Sequence, residues 1–425
     1  MARICLITPG HLSTNPRIVK EADALSEAGH EVRVIAAEYA TWARDADAEF
    51  EGRPWLAKES LMFGPGAPFF VRLNQVARQR IAQFLVRLGW RGDRIDCAAF
   101  HPVAPALRQA ALRTPADLYI AHYVAALPAA AAAAARHGAR YAFDAEDFHL
   151  GDLPDVPEHA FAKALIQGIE GRYLPGCAYV SAASPGIADA YAQTYGLAPP
   201  TIVLNVFPLQ DGPGAVTRKG AADRSPSVYW FSQTIGPDRG LECAVRAIGH
   251  AKSRPHLYLL GRTAAGYQQR LLDLAEATGC HDRVHFLPTA PPLQMVRIAA
   301  RYDIGLASET GNTPSRERAL TNKLFTYMLA GLPVVISDTP AQKKFAVGLE
   351  SCLWLYPRND AQALADGLDH FLLDAERLAA ARSAAWALGQ GTYNWDKEKR
   401  IILGRIETML HGSAARSATP HEIHS

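Results

Sequence analysis

Asn322-Lys-Leu-Phe-Thr-Tyr-Met-Leu-Ala-Gly-Leu-Pro-Val-Val335 reads as a helix that opens after a polar loop, stops at Gly331 and passes through Pro333 into an apolar strand. Glycine just past the last helical turn and proline soon after are the ordinary punctuation of a helix C-terminus, so the stop by itself is structural. The start says more. Asn322 and Lys323 stand where free N–H groups and the helix dipole favour an anion, and a lysine there is a natural contact for a diphosphate.

Outward from this segment, strand and helix signals alternate. Behind it lie strand-like runs at 227–231, 256–260, 283–287 and 304–307, with helical stretches from 241, near 267–277 and at 321–330. Residues 333–337 supply the strand after it, and helices beyond 361 close the chain. The opening has the same rhythm: strand 4–8, helix 16–28 and strand 31–36, then strands at 118–121, 140–144, 178–182 and 201–204. Such βαβ alternation predicts parallel sheets. Between the two runs, residues 209–226 carry turn formers and almost no periodic apolar residues, the composition of a linker. The expectation is therefore an α/β protein of two Rossmann-like domains, 1–208 and 227–391, facing each other across a cleft at the carboxyl ends of their strands. Residues 412–425 lack an apolar face and are expected to fray as a flexible tail.

Composition agrees with two domains. The 425 residues are 49% hydrophobic and 20% charged, enough to bury large cores. With 44 basic against 42 acidic residues there is no overall field to draw a nucleic acid, so any anion must be held locally. The six cysteines are scattered, with no Cys-x-x-Cys pair and no histidine at metal-ligand spacing, which predicts a reducing, cytoplasmic setting and no metal site. The N-terminal apolar run is broken by Arg3 and ends in Pro-Gly, unlike a signal peptide, and the alanine run at 129–135 is too short to span a bilayer.

The helix at 322 closely resembles the donor-binding helix of GT-B glycosyltransferases of family 4, and other segments follow that family's pattern in order. The stretch from Thr14-Asn-Pro-Arg to Val34 is similar to its first helix and second strand. Asp117-Leu-Tyr-Ile-Ala-His122 is similar to its Asp-x-x-x-x-His strand end, residues 231–240 to the first loop of its second domain, and Tyr393-Asn-Trp-Asp396 to the aromatic motif before its last helix. The likeness is weakest between 38 and 116. It implies the GT-B fold, with a C-terminal helix at about 392–411 returning to the first domain. It also implies transfer of a hexose or related sugar from a nucleoside diphosphate sugar to an acceptor hydroxyl, with retention and without a metal or other cofactor.

Carried over position by position, the resemblance gives Arg239, at the Lys-Gly position, and Lys323 to the donor diphosphate, and His122 to the donor sugar near the reacting carbon. Gly10, in Pro9-Gly10-His11, matches the glycine loop. Asn322 joins the donor site through its place at the helix start. Two departures stand out. Gln233 occupies a position where many members have arginine, so one phosphate contact becomes a neutral hydrogen bond or passes to Arg262. Thr326 stands where the second glutamate of the family's Glu-x7-Glu pair belongs, and a hydroxyl offers the ribose diol less than a carboxylate. Glu309 and Glu317 have that spacing nine residues too early. Glu309 nevertheless ends a strand at the cleft, where it either contacts donor-sugar hydroxyls or caps its loop.

Read from the residues alone, His122 at the end of an apolar strand is as much a structural histidine as a functional one. Asp144, Glu146, Asp147 and His149 gather at the next strand end and read either as acceptor-binding or base groups or as acids at a helix start. Residues 64–94 hold Arg72, Arg78, Arg80, Arg87, Arg91 and Arg94 against Asp93 alone, interleaved with aromatic and aliphatic residues. A basic amphipathic helix of this kind can lie on an anionic membrane at the inner face, which would suit a lipid-linked glycan as acceptor in place of a small molecule. Its apolar face is equally able to cover the sheet.

Three other functions compete. A nucleotide-sugar epimerase of the same fold would need no acceptor. A catalytically silent GT-B subunit would bind nucleotide only, which Thr326 and Gln233 make thinkable. A nicotinamide-dependent dehydrogenase is disfavoured because Gly10 lacks the partners of a Gly-x-Gly-x-x-Gly loop.

Overall fold

Runs apolar on both faces become interior strands, and in the computed structural model, which describes residues 1–56, 61–215 and 225–414, they form two six-stranded parallel sheets. The first domain contains β1 (Arg3–Ile7), β2 (Glu31–Ile35), β3 (Ala37–Glu38), β4 (Leu61–Met62), β5 (Leu118–His122), β6 (Arg140–Ala145), β7 (Val180–Ala182) and β8 (Thr201–Ile202). Its main sheet runs β2-β1-β5-β6-β7-β8, and β3 pairs with β4 beside it. The second domain contains β9 (Ser227–Ile235), β10 (His256–Thr263), β11 (Val284–Leu287), β12 (Ile304–Ala307), β13 (Val334–Ser337) and β14 (Leu353–Tyr356), in the order β11-β10-β9-β12-β13-β14.

In each sheet the winding reverses once, between β1 and β5 and between β9 and β12. Crevices at such reversals are where open α/β sheets take ligands, because the loops on either side diverge there. The segments leaving these four strands are Thr8–Gly10, His122–Tyr123, the turn through Arg239, and Ser308–Glu309. The two-domain α/β architecture expected from the sequence is the observed one.

The helix Asn322–Leu329 is buried on almost every side, and two glycines make that possible. A Cβ at Gly305 on β12 would stand 2.1 Å from the Tyr327 ring, and one at Gly389 would stand 2.6 Å from the Leu329 Cα. Sheet and neighbouring helix therefore close on it backbone to ring and backbone to backbone. Gly331, at φ 70°, ends it in the left-handed conformation that suits glycine.

Three features depart from the sequence expectation. β9 continues through polar Ser232-Gln233-Thr234 to Ile235, pairing with β10 across a register shift between Leu260 and Arg262. β14 is an additional edge strand whose apolar run is only four residues long. The stretch of weakest resemblance holds helices Thr41–Asp47, Phe69–Arg87, Asp93–Phe100 and Ala104–Leu112.

Of residues 209–226, Leu209–Asp211 form a single turn, and 216–224 lie outside the described residues. The last helix, Trp395–Ala414, crosses back to the first domain: Trp395 N–H donates to Phe207 O (2.9 Å), Glu398 accepts from Leu204 N–H (2.7 Å) and Asp396 from Leu209 N–H (2.9 Å). That helix enters the expected tail as far as Ala414, and residues 415–425 lie outside the described residues.

Candidate active site

At the second domain's reversal, the Lys323 ammonium lies 3.0 Å from Glu309 Oε1 and 5.5 Å from the centre of the Trp230 ring. The other Glu309 oxygen accepts from Arg316 (3.2 Å), and Ser337 Oγ both accepts from the Glu309 N–H (2.8 Å) and donates to its carbonyl (2.7 Å). Burial pushes the Glu309 carboxyl pKa up, but Lys323 and Arg316 outweigh it and hold it below the usual glutamate range. Burial, with Arg239 and Arg316 nearby, pulls the Lys323 ammonium down against the pull of Glu309.

Arg239 leaves β9 on a turn that needs unusual backbone angles, with φ 60° at Asp238 and 71° at Gly240. Ser308 Oγ donates to Arg239 O (2.8 Å) and Thr310 Oγ1 to Asp238 O (3.0 Å), so the loop after β12 fixes the turn. The Arg239 guanidinium is half-buried and makes no ion pair among the described residues. Three cations and one carboxylate thus share a partly buried corner with a net positive charge, a setting for a polyanion.

Across the cleft, the first domain's strand ends carry a buried ionic network. Arg17 grips Asp144 with two bonds (2.6 and 2.8 Å) and donates to Val203 O (2.7 Å), while Ser181 Oγ donates to Asp144 (2.5 Å). His122, 1% exposed, lies between Glu21 (3.0 Å) and Asp144 (3.4 Å), at ion-pair distance but out of hydrogen-bond alignment. Burial disfavours its charge, yet Glu21 and Asp144 raise its pKa. Lys20 donates to Asn205 Oδ1 (3.0 Å), and Asn205 Nδ2 donates to Glu146 (2.8 Å). His149 Nδ1 meets Tyr191 OH (2.8 Å), beside buried Glu170.

A cavity of about 440 Å³ opens in front of this network, lined by Thr8, Pro9, Gly10, Thr14, Asn15, Tyr39, Phe63, His101, Tyr123 and, from the second domain, Gln233. Its wall is set by His11, whose Nε2 accepts from the N–H groups of both Tyr39 (2.9 Å) and Ala40 (3.0 Å). Nε2 is therefore unprotonated, and the ring hydrogen sits on Nδ1 facing Asp47 Oδ2 (2.5 Å). Asn15 caps the helix Pro16–Glu27 through Oδ1, and its buried Nδ2 is left without a partner at the cavity. Gln233 Nε2 donates to Thr14 O (3.3 Å), and Arg262 stacks 4.3 Å over the Trp42 ring, so both bridge the domains.

Of the residues singled out in the sequence, Lys323, Glu309 and Arg239 converge, and Asn322, half-buried, precedes Lys323 as the first residue of the helix. Gly10 and Gln233 share the cavity. Thr326 is wholly buried and its hydroxyl donates to the Asn322 carbonyl (2.8 Å), which turns it inward. His122 and Asp144 also lie inside the fold, each engaged with charged neighbours. Asp147 is half-buried and its charge reaches Arg239. Glu317 sits in the short helix Pro314–Arg318 and pairs with Arg358 (3.5 Å). Sequence reasoning missed Arg316, Tyr123 and the aromatic wall. The Thr313-Pro-Ser-Arg helix start foreshadows Arg316, and nothing local marks the others.

Residues 225–374 match the family model described as Glycosyl transferases group 1, and residues 14–206 match the Glycosyl transferase 4-like domain. No curated protein matches the chain. Among solved structures, HepE of Anabaena in complex with UDP aligns with TM-score 0.68 at 17% identity, covering 96% of this chain and 100% of that one. Sucrose-phosphate synthase from Thermosynechococcus elongatus gives 0.69 at 15% identity, with 97% and 100% covered. A glycosyltransferase from Rickettsia africae gives 0.64 at 12%, with 96% and 98% covered. At these identities the likeness speaks to the fold.

Proposed function

The chain belongs to the group 1 glycosyl transferases of GT-B fold, and from that premise we propose that it moves a sugar from a nucleoside diphosphate sugar to an acceptor hydroxyl, with retention of configuration. The observation that carries the reading is the corner at the β9–β12 reversal, where Lys323, Arg239 and Arg316 surround Glu309. A diphosphate leaving group needs its charge met in a place poor in water, and preorganised cations there act mainly on the transition state. Arg239, half-buried and without an ion pair among the described residues, and Lys323, buried against Glu309, are the two diphosphate contacts. HepE, solved with UDP and with UDP-glucose, is consistent with such a donor.

In this reading Asn322 contributes the helix start, Gln233 and Arg262 the contacts that bridge the domains, and Glu309 meets donor hydroxyls as phosphate draws Lys323 away. Gly10 allows the donor close approach. His122 acts as a positioning residue that holds the strand end beneath the donor sugar. No metal or cofactor is required, since side-chain cations do the neutralising. The acceptor, a lipid-linked glycan or a small molecule, enters by the first-domain cavity, whose lining residue Tyr123 donates to Glu146 of the acidic cluster (3.4 Å). The setting is cytoplasmic, with peripheral contact at an anionic membrane through residues 64–94.

Thermal shift with UDP, GDP, dTDP and ADP tests the donor half, because a ligand of the folded state raises the melting temperature. One nucleotide is expected to stabilise the wild type and to lose at least about tenfold in affinity in Arg239→Ala. Absence of any shift, or an equal shift in the variant, refutes the assignment. Buried Thr326 favours one second reading, a nucleotide-binding subunit without turnover, which would show the shift but release no free sugar or product.

A further inference from the structure

The helix Phe69–Arg87 is built inside out. Gln75, Gln79 and Gln83 follow one another at a spacing of four, and their amides reach into the protein: Gln75 donates to Met62 O (2.9 Å), Gln79 to Phe100 O (3.3 Å) and Gln83 to Ala99 O (3.1 Å). Of the helix only Gln75, Ala82 and Val86 are buried. At about 100° per residue, Phe69, Phe70, Leu73, Ile81 and Phe84 fall on the opposite side, and each is more than half exposed. Leu88 and Trp90 continue the exposed apolar surface past the helix end. A helix facing water places these classes the other way round. A contiguous apolar face of this extent marks a surface that is covered in use.

The charges say by what. Arg72, Arg78, Arg80 and Arg87 are the helix's only charged residues, and all four are exposed. A second copy of the chain docked through this face would bring arginine against arginine. An anionic bilayer meets both requirements at once, since its acyl boundary takes the aromatic face and its headgroups take the guanidinium groups of Arg72 and Arg80. Arg78 instead donates to Pro102 O (3.2 Å), and Arg87 stacks on Phe161 (4.8 Å). The position also suits the chemistry. Phe63 lines the cleft cavity, and Phe69, six residues later, opens the helix, so the two are at most about 20 Å apart along the chain. No helix among the described residues is long and apolar enough to cross a membrane, so the contact would be peripheral.

We propose that the outward face of the helix Phe69–Arg87 is seated in the interfacial layer of an anionic phospholipid bilayer, and that the enzyme therefore draws its acceptor from that membrane. This rests on the glycosyl-transfer reading but is tested without it. The wild type is cosedimented with phosphatidylcholine vesicles and with vesicles containing about one-third phosphatidylglycerol, at low and high salt, alongside Phe70→Glu/Phe84→Glu and Arg72→Gln/Arg80→Gln. Nucleotide affinity of each is measured without lipid. The wild type should partition onto the anionic vesicles at least tenfold better than onto the neutral ones, an advantage that salt reduces. Each arginine near the surface is worth roughly fivefold, and a glutamate in the apolar face about tenfold or more. Both variants should lose vesicle binding with nucleotide affinity unchanged. Equal weak binding of the wild type to both vesicle types overturns the proposal and leaves the donor assignment standing. Dimerisation of the wild type abolished by Phe70→Glu/Phe84→Glu, without vesicle binding, overturns it in favour of a second copy. Loss of nucleotide binding with vesicle binding intact would sink the donor reading alone.

Discussion

Lys323 sits in the protein as half of a buried pair, and that shapes what its removal does. Lys323→Ala leaves Glu309 desolvated with Arg316 alone, and breaking a buried pair costs about 3–5 kcal/mol. The variant should lose stability of that order in urea titration as well as turnover. Arg239→Ala removes a half-buried cation without an ion pair and should leave stability within about 0.5 kcal/mol while cutting turnover about 10²–10³-fold. Equal destabilisation by the two would show that Arg239 is also structural. Lys20 gives a pH test. Burial, then Arg17, lowers its pKa from 10.5 to about 7, against the pull of Glu146, Asp211 and Asp144. The folded protein then binds fewer protons than the unfolded chain between about pH 7 and 10.5, so this group makes stability rise with pH there, by at most about 1.4 kcal/mol per unit. Lys20→Met should flatten that rise in denaturation midpoints measured from pH 7 to 9, and an unchanged slope would remove Lys20 as its source.

At the scale of elements, the helix Asn322–Leu329 holds its lysine in place because Gly305 and Gly389 let it be gripped from two sides. Gly305→Ala drives a methyl into the Tyr327 ring and should cost about 1–3 kcal/mol, with nucleotide affinity falling as the helix start moves. A variant as stable and as tight-binding as the wild type would mean the helix is not positioned this way. The strands and this helix were legible in the sequence because apolar runs between turn formers have few alternatives, and the helix punctuation is local. The charge network was not, since Arg17 and Asp144 are 127 residues apart and only the β1–β5–β6 order brings their elements together. Thr326 could be seen to replace a carboxylate, but its turn toward Asn322 O could not. The helix Phe69–Arg87 was legible as basic and aromatic. Which side faced the protein was hidden, because glutamines share the inward contacts with only two buried apolar residues, Ala82 and Val86.

For the whole molecule, the two reversals confront each other, and Gln233 and Arg262 already reach Thr14 and Trp42. On the proposal that side-chain cations do the neutralising, turnover should survive thorough EDTA treatment; a loss restored by manganese or magnesium would contradict that proposal. The returning helix Trp395–Ala414 has a consequence during synthesis. Trp395, Ile402 and Ile406 are buried in the same core cluster as Ile4, Ile18 and Val206, so the first domain's core is finished by residues that come after the whole second domain. A ribosome adding about 5–20 residues per second leaves a wait of roughly 10–40 s between the end of the first sheet and the arrival of Trp395. Through that interval the nascent first domain exposes an unfilled apolar seat, and the second domain can close its own sheet before the first is complete.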